Sequence, residues 1–285
     1  MTLKKQHLGE FYKELRLARG IKLKEVANAC LSISQLSKFE NGQSSLTVEK
    51  LFIALEAIHV SLAEFEHMAN GYQENAFIER MTRAGILTIQ RDIEGLLVLR
   101  EEMDQTKKND TYCRLNNILT LKMLASIDAN YCVPEADKKF LVKYLYEIEA
   151  WTEYEAYLFG NTMPLLSDQD LIFLKTAFLE RNKFYKSLPN HRKQAQTILL
   201  NCLSELIERG LFEGLDETIK EIEELITFQD MFSIVILNFL KLIVEDIQEE
   251  NKKAEIETYI ETIATLGNKE LAGWFKFKAT TFQIL

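Results

Sequence analysis

Residues 32–42 read SISQLSKFENG, and this stretch carries the clearest local structural signals in the chain. Ser32 followed three residues later by Gln35 predicts a capping box, which begins a helix at residue 33. Asn41-Gly42 predicts the end of that helix, because glycine adopts the left-handed conformation after a helix without steric cost. The leucine and the phenylalanine between these signals are three residues apart and predict one buried face. The stretch is therefore predicted to be a short amphipathic helix with a polar outer face.

Four further short helices are predicted around this one within the first 70 residues. They are a helix with Leu8, Phe11, Tyr12 and Leu15 on one face that ends near Gly20, a helix over about Leu23–Ala29, a helix over about 48–58 capped by Thr47, and a helix opened by the capping box Ser61 to Glu64. The second and third helices are joined by a tight connection at Cys30-Leu31. Two short helices joined in this way are typical of a helix-turn-helix unit, whose second helix enters the DNA major groove.

The polar face of residues 33–41 carries side chains that can hydrogen-bond with DNA. Glutamine can pair with adenine, lysine with guanine, and serine with several acceptors. Basic side chains nearby can hold the flanking phosphates. The predicted contacts are Ser34, Gln35, Ser37 and Lys38 to bases, and Arg16, Lys22, Lys24 and the backbone near Asn41 to phosphates. Two alternatives stay open: Gln35 can act only as the closing residue of the capping box, and the basic residues can be ordinary surface charges.

Charge is distributed unevenly along the 285 residues. The first 42 residues contain eight lysines and arginines against four glutamates and so carry +4; because the chain has a net charge of −9, the remaining 243 residues carry −13. A basic head on an acidic body suits a local contact with DNA, since the body is repelled by the phosphates.

After residue 70 the sequence predicts eleven consecutive helices between residues 73 and 283, separated by short breaks such as Val133-Pro134 and Leu188-Pro189. Each pair of helices fills about 35–45 residues, the period of helical-hairpin solenoids. Stacked hairpins of this kind form a concave binding surface. The sequence therefore predicts an all-α chain, with a five-helix helix-turn-helix domain over residues 1–70 and a helical-repeat domain for sensing and dimerisation over 71–285.

Several polar residues interrupt the apolar helices of the predicted solenoid. Asparagines there can clamp the backbone of an extended peptide, while apolar pockets take its side chains; alternatively, they can bond a neighbouring helix. Arg181 is a candidate anchor for a carboxylate, and the aromatic residues are candidate contacts or ordinary core residues. The full candidate set is Asn116, Tyr144, Trp151, Arg181, Tyr185, Asn201 and Asn238.

Other function classes are disfavoured. The four cysteines (Cys30, Cys113, Cys132 and Cys202) show no metal-binding spacing, and a regulatory disulfide is the less favoured alternative to free thiols. The longest apolar run, 232–244, is too short and too polar to span a bilayer, and no signal peptide is recognised, so a cytoplasmic location is expected. Neither HExxH, GxGxxG, a P-loop nor GxSxG occurs, so no enzyme activity, cofactor or metal is expected.

The N-terminal motifs resemble the Cro/repressor-type (XRE) helix-turn-helix family. The resemblance is carried by Leu15-Arg16-Leu17-Ala18-Arg19-Gly20-Ile21, Glu25-Val26-Ala27, Ser34-Gln35-Leu36-Ser37-Lys38-Phe39-Glu40-Asn41-Gly42, Leu51-Phe52-Ile53-Ala54-Leu55 and Val60-Ser61. One departure is the connection at Cys30-Leu31, which lacks the glycine common in that turn and is about one residue short.

Over nearly its whole length the chain resembles the Rgg (Rgg/GadR/MutR) family of regulators. This resemblance rests on residues 32–40, on Leu62-Ala63-Glu64-Phe65, and on the stretch EIEAWTEYE (147–155) running into Leu158-Phe159-Gly160-Asn161. It implies a tetratricopeptide-like C-terminal domain, a homodimer, quorum sensing through a short hydrophobic peptide pheromone, and regulation of transcription on double-stranded DNA. RNA polymerase is a further candidate partner. The alternative is a DNA-binding regulator whose helical repeat binds another protein.

Overall fold

The computed structural model describes residues 8–73, 76–104, 110–181, 188–249 and 251–285. Within these ranges every regular element is a helix and no strand occurs. The chain divides into two compact units, Met1–Asp92 and Ile93–Leu285. The prediction of an all-α fold is confirmed.

The first unit contains six described helices. They are α1 (Leu8–Ala18), α2 (Leu23–Val26), α3 (Ile33–Glu40), α4 (Val48–Ala57), α5 (Leu62–Ala69) and α6 (Ala76–Ile89). The predicted caps are present: the Ser32 side chain accepts a hydrogen bond from the Gln35 amide, and Ser61 accepts one from Glu64. Gly42 has a φ of +67°, the left-handed conformation expected after α3.

The core of this unit is built by the apolar faces of its short helices. Tyr12 of α1, Leu36 of α3 and Leu55 of α4 are almost fully buried in one cluster, together with Leu31 from the connection before α3. A hydrogen bond of 3.1 Å from the Tyr12 hydroxyl to the Ala54 carbonyl joins α1 to α4. Burial of these side chains holds the five N-terminal helices together.

The second helix is shorter than the prediction of Leu23–Ala29, because α2 ends at Val26. The reason is Asn28, whose side-chain oxygen accepts hydrogen bonds from the backbone amides of Cys30 and Leu31 at 2.8 and 3.0 Å. Asparagine competes with helix geometry by making such local bonds and favours turns. Asn28 therefore forms the turn in which the resemblance led us to expect a glycine.

The second unit contains ten described helices. They are α7 (Ile93–Asp104), α8 (Thr111–Ile127), α9 (Glu135–Glu147), α10 (Glu153–Thr162, followed by a 3₁₀ turn Met163–Leu165), α11 (Asp168–Arg181), α12 (Pro189–Glu208), α13 (Leu215–Leu225), α14 (Met231–Glu249), α15 (Lys253–Thr265) and α16 (Lys269–Thr281). Helices α8, α10, α12 and α14 pack side by side in that order, whereas α9 and α11 pack against each other as part of a second layer. This is the predicted stack of tetratricopeptide-like hairpins.

The boundary between the two structural units falls after residue 92, while the predicted functional boundary falls after residue 70. Packing of the helices defines the first boundary, whereas the partners that the residues bind define the second. The boundary at residue 70 stays a prediction.

Helices α1 and α3 approach so closely that only glycine fits at residue 9. A Cβ atom on Gly9 would overlap the carbonyl oxygen of Phe39, which belongs to the backbone of α3 and cannot move without displacing that helix. We expect Gly9→Ala to lower the free energy of unfolding by about 1–3 kcal/mol, as overpacking does. Urea denaturation followed by circular dichroism measures the change.

The matched control is Gly85→Ala on α6, where an added Cβ meets no atom within 4 Å. This variant should be neutral or more stable by up to about 1 kcal/mol, because alanine is the better helix former. Equal stability of the Gly9 and Gly85 variants would contradict the close approach of α1 and α3.

Candidate functional site

The outer face of α3 is polar and open to solvent. Ser34, Gln35 and Lys38 are exposed and Ser37 is half-buried, whereas Leu36 and Phe39 are in the core. A helix rotates by about 100° per residue, so Ser34 and Lys38 lie on the side opposite this core. The structure thus brings the four predicted base-reading residues onto one exposed helix.

A buried ion pair ties α3 to α1. The Nε of Arg16 lies 2.6 Å from one carboxylate oxygen of Glu40, and its Nη2 lies 2.7 Å from the other. Arg16 also donates to the carbonyl of Ile21. The hydrogen bonds to Glu40 raise the pKa of the Arg16 guanidinium, and the bidentate geometry is the favoured one for arginine and carboxylate.

The position of Arg16 corrects the prediction that it holds a DNA phosphate. Its side chain is only 5% exposed, and its guanidinium donates to the carboxylate of Glu40. Sequence periodicity could not show this, because Glu40 lies 24 residues away along the chain. The predicted phosphate contacts Lys22 and Lys24 are exposed at α2.

Two other predicted DNA contacts have hydrogen bonds within the protein. The Gln35 side-chain oxygen accepts from the Ser32 amide at 3.2 Å and so closes the capping box. The Asn41 side chain donates to the Ser37 carbonyl at 2.9 Å and accepts from the Lys13 amine at 3.4 Å. Ser34, Ser37 and Lys38 are the predicted readers whose side chains take no part in the capping box.

In the second unit, two of the predicted contacts lie together between α8, α9 and α10. The Tyr144 hydroxyl donates to Glu155 at 2.7 Å, and the Tyr154 hydroxyl donates to the side-chain oxygen of Asn116 at 3.0 Å. The ring of Tyr112 lies edge-on to both tyrosines. Burial, followed by the hydrogen bond to Glu155, raises the pKa of Tyr144, so this phenol stays neutral. Asn116 and Tyr144 therefore take part in a network between helices.

Trp151 and Arg181 both have partners within the repeat; the full burial of Trp151 argues against a direct ligand contact, whereas the predicted role of the half-buried Arg181 stays a prediction. Trp151 is fully buried against Phe159 and Phe178. Arg181 donates to three carbonyl groups at the end of α9, those of Leu145, Tyr146 and Ile148. A cation near the C-terminus of a helix satisfies carbonyls that have no partner inside the helix. This contact accounts for Arg181 without a carboxylate ligand.

Asn201 is the predicted contact whose side chain is most available. The side chain of Asn201 is exposed on α12. It makes no hydrogen bond with any residue in the described ranges. Asn238 is also exposed on α14, and the nearby Tyr259 of α15 donates its hydroxyl to the Val235 carbonyl at 3.0 Å. Tyr185 lies outside the described residues.

A further asparagine, Asn161 on α10, was missed by the sequence reasoning. Gly160 approaches Ile198 closely, and the sulfur atoms of Met163 and Cys202 are 3.7 Å apart, which fixes the register of α10 and α12. This register places Asn161 at the level of Asn201. Asn201 is exposed, whereas Asn161 is half-buried and its amide donates to the Tyr157 carbonyl at 2.8 Å, which leaves the side-chain oxygen as its acceptor. The signal in the sequence that could have identified Asn161 is its spacing of 40 residues from Asn201.

The described residues contain no cluster of three side chains suited to a metal ion. Among them, no helix combines the length and apolar character needed to cross a membrane. The four cysteines, all within the described ranges, form no disulfide: Cys30 and Cys132 are exposed, Cys113 is half-buried and Cys202 is buried.

Comparison with known proteins finds a matching family for part of each unit. Residues 98–276 match the family described as "HTH-type transcriptional regulator Rgg, C-terminal domain", and residues 13–65 match the family described as "Helix-turn-helix".

Three examples of solved structures with the same fold follow. The chain is similar to the SHP pheromone receptor Rgg2 of Streptococcus dysgalactiae, with a TM-score of 0.82 and 20% identity over 94% of this chain and 97% of that chain. It is similar to a putative transcriptional regulator from Listeria monocytogenes EGD-e, with a TM-score of 0.82 and 19% identity over 97% of both chains. It is also similar to PrgX in the PrgX/cCF10 complex, with a TM-score of 0.75 and 15% identity over 97% of this chain and 92% of that chain.

The buried pair of Arg16 and Glu40 gives a test of the first unit. We expect Arg16→Met and Glu40→Met each to lower the free energy of unfolding by about 3–5 kcal/mol, because each leaves a buried charge without its partner. The double variant should be clearly more stable than the sum of the two single effects predicts, since neither charge remains. Urea denaturation measures all four proteins, and additive effects would contradict the pairing.

Proposed function

Because the chain belongs to the Rgg family of helix-turn-helix transcriptional regulators, we propose that it binds specific DNA through α3 and is controlled by a short hydrophobic peptide. The peptide binds in the helical repeat, and the protein acts as a homodimer in the cytoplasm. The observation that carries the proposal is the exposed polar face of α3, held rigidly by α1 in a chain that continues into a helical repeat.

The DNA contact is assigned to Ser34, Ser37 and Lys38 at the bases, with Lys22, Lys24 and the backbone near Asn41 at the phosphates. Serine and lysine offer hydrogen-bonding groups that match the edges of bases in the major groove. A rigid support matters here, because base readout requires side chains to be held in a defined position. The buried ion pair between α1 and α3 supplies that support.

The peptide contact is assigned to the concave face of the helical repeat, at α10 and α12. Asn161 and Asn201 lie at the same level on adjacent parallel helices, and an amide side chain can donate to and accept from a peptide backbone. Two of the structural relatives support a peptide ligand for the repeat, since Rgg2 is a pheromone receptor and PrgX forms a complex with cCF10. The alternative of a protein partner has no comparable support.

Control by a peptide requires that it bind two arrangements of the protein with different affinity. The C-terminal helix α16 is our candidate for the element that moves. Lys278 of α16 forms an ion pair of 2.8 Å with Glu208, which lies seven residues after Asn201 on the same side of α12. A peptide beside Asn201 would therefore lie close to the contact that attaches α16. RNA polymerase is a further proposed partner of the DNA-bound dimer.

The role of α3 is tested with DNA from the region upstream of its own gene. We expect Lys38→Ala to weaken specific binding by about 1–3 kcal/mol, the usual value of one base contact, with an unchanged helical spectrum. Fluorescence anisotropy at constant salt measures the affinity. The matched control Lys253→Ala, an exposed lysine of α15, should bind as the wild type does. Equal binding by Lys38→Ala would remove this side chain from the base contacts.

The role of Asn201 is tested with synthetic hydrophobic peptides encoded beside the gene. We expect Asn201→Ala to lose about 0.5–1.5 kcal/mol of peptide affinity per hydrogen bond, while binding DNA normally without peptide. Isothermal titration measures peptide binding, and anisotropy measures the DNA complex. Asn190→Ala, an exposed asparagine at the start of the same helix, is the control. An unchanged peptide affinity in Asn201→Ala would place the peptide elsewhere.

A further inference from the structure

Ile33 is an apolar side chain in an otherwise polar setting. It is the first residue of α3 and is 49% exposed, whereas the other large apolar residues of this helix, Leu36 and Phe39, are 0% and 6% exposed. A single exposed aliphatic residue on a protein surface needs no explanation by itself. Ile33, however, lies at the N-terminal end of the proposed recognition helix, and the N-terminal residues of such a helix meet the base edges.

The neighbours of Ile33 supply the polar part of the same surface. Ser37 lies one turn further along α3, about 40° away around the helix, and Ser34 is the next residue in sequence. The Gln35 side-chain oxygen is already bonded to the Ser32 amide. Ile33 thus borders a hydrogen-bonding surface, and its side chain cannot make a hydrogen bond.

The chemistry of the major groove identifies what such a side chain can recognise. Of the four bases, thymine alone presents a methyl group there, at C5, which offers more apolar surface than the C5–H of cytosine; the remaining positions present donors and acceptors. Placing an isoleucine against a donor or acceptor removes water from that group without replacing the hydrogen bond. Contact with a methyl group carries no such cost and buries apolar surface on both sides.

We infer that Ile33 contacts the C5-methyl group of a thymine and thereby selects a T·A pair at one position of the DNA site. This inference rests on the proposed function, since it requires α3 to enter the major groove. It adds a residue to the reading surface that acts by apolar contact, beside Ser34 and Lys38, which act by hydrogen bonds.

The test replaces thymines by uracil, which keeps base pairing and the O4 acceptor and removes only the methyl group. The bound sequence upstream of the gene is first located by footprinting with the wild-type protein. Synthetic duplexes with one uracil each are then titrated with wild type, Ile33→Ala, Ile33→Val and Val48→Ala. Val48 is the matched control, because it is the first residue of α4 and is 62% exposed outside the recognition helix.

The expected result is a thymine whose replacement weakens wild-type binding about three- to tenfold, the effect of losing one buried methyl contact. Ile33→Ala should lose this sensitivity at that position while retaining it at any others. Val48→Ala should keep the wild-type profile, and Ile33→Val should keep most of the sensitivity because it retains branched methyl groups.

Identical uracil profiles for wild type, Ile33→Ala and Ile33→Val would overturn the inference. A wild-type profile with no sensitive thymine would overturn it as well, while leaving the role of α3 in DNA binding intact. Failure of the proposed function is distinguished by a different result, the absence of any footprint or sequence preference for the wild-type protein.

Discussion

The contact between α1 and α3 is the constraint on which the first unit depends. The bidentate pair of Arg16 and Glu40 fixes the end of α3, and Gly9 lets the two helix backbones meet near Phe39. A buried ion pair contributes little net stability, but an arrangement that leaves either charge without its partner is costly. The pair therefore favours one arrangement of the helices over others. The result is a recognition helix of only eight residues that is nevertheless held in one orientation. A polar surface can discriminate between base sequences only when it is positioned in this way.

The second unit uses buried polar contacts for the same purpose of fixing register. The Gln196 amide donates to the Leu225 carbonyl at 2.8 Å and to Asp230 at 3.1 Å, and its oxygen accepts from Ser233 at 2.9 Å. The buried Gln196 amide thus specifies how α12 meets the end of α13, the loop that follows it and α14, because any slip leaves the amide without partners. Register between helices then decides which side chains align, as it does for Asn161 and Asn201. The polar interior of the repeat thereby determines the surface that it offers to a ligand.

The partners of a polar or aromatic side chain decide whether it supports the fold or is available to a ligand. Arg181 serves the carbonyls at the end of α9, and Trp151 fills the core between α10 and α11. Arginine and tryptophan are frequent in binding sites, so the sequence favoured a ligand role for Arg181 and Trp151. Asn201 keeps its amide free of bonds to the described residues. What separates these cases is whether another part of the same chain already buries or hydrogen-bonds the side chain.

The sequence by itself determined the helices, because their signals are local. The capping box from Ser32 to Gln35, the glycine at residue 42 and the apolar periodicity act within one or two turns and need no partner elsewhere. The helical-hairpin spacing and the exposed face of α3 follow from the same signals. Only the tertiary structure decided that Arg16 turns inward to Glu40, since that contact spans 24 residues. It likewise decided the alignment of Asn161 with Asn201, because the register of packed helices depends on side chains that meet only after folding.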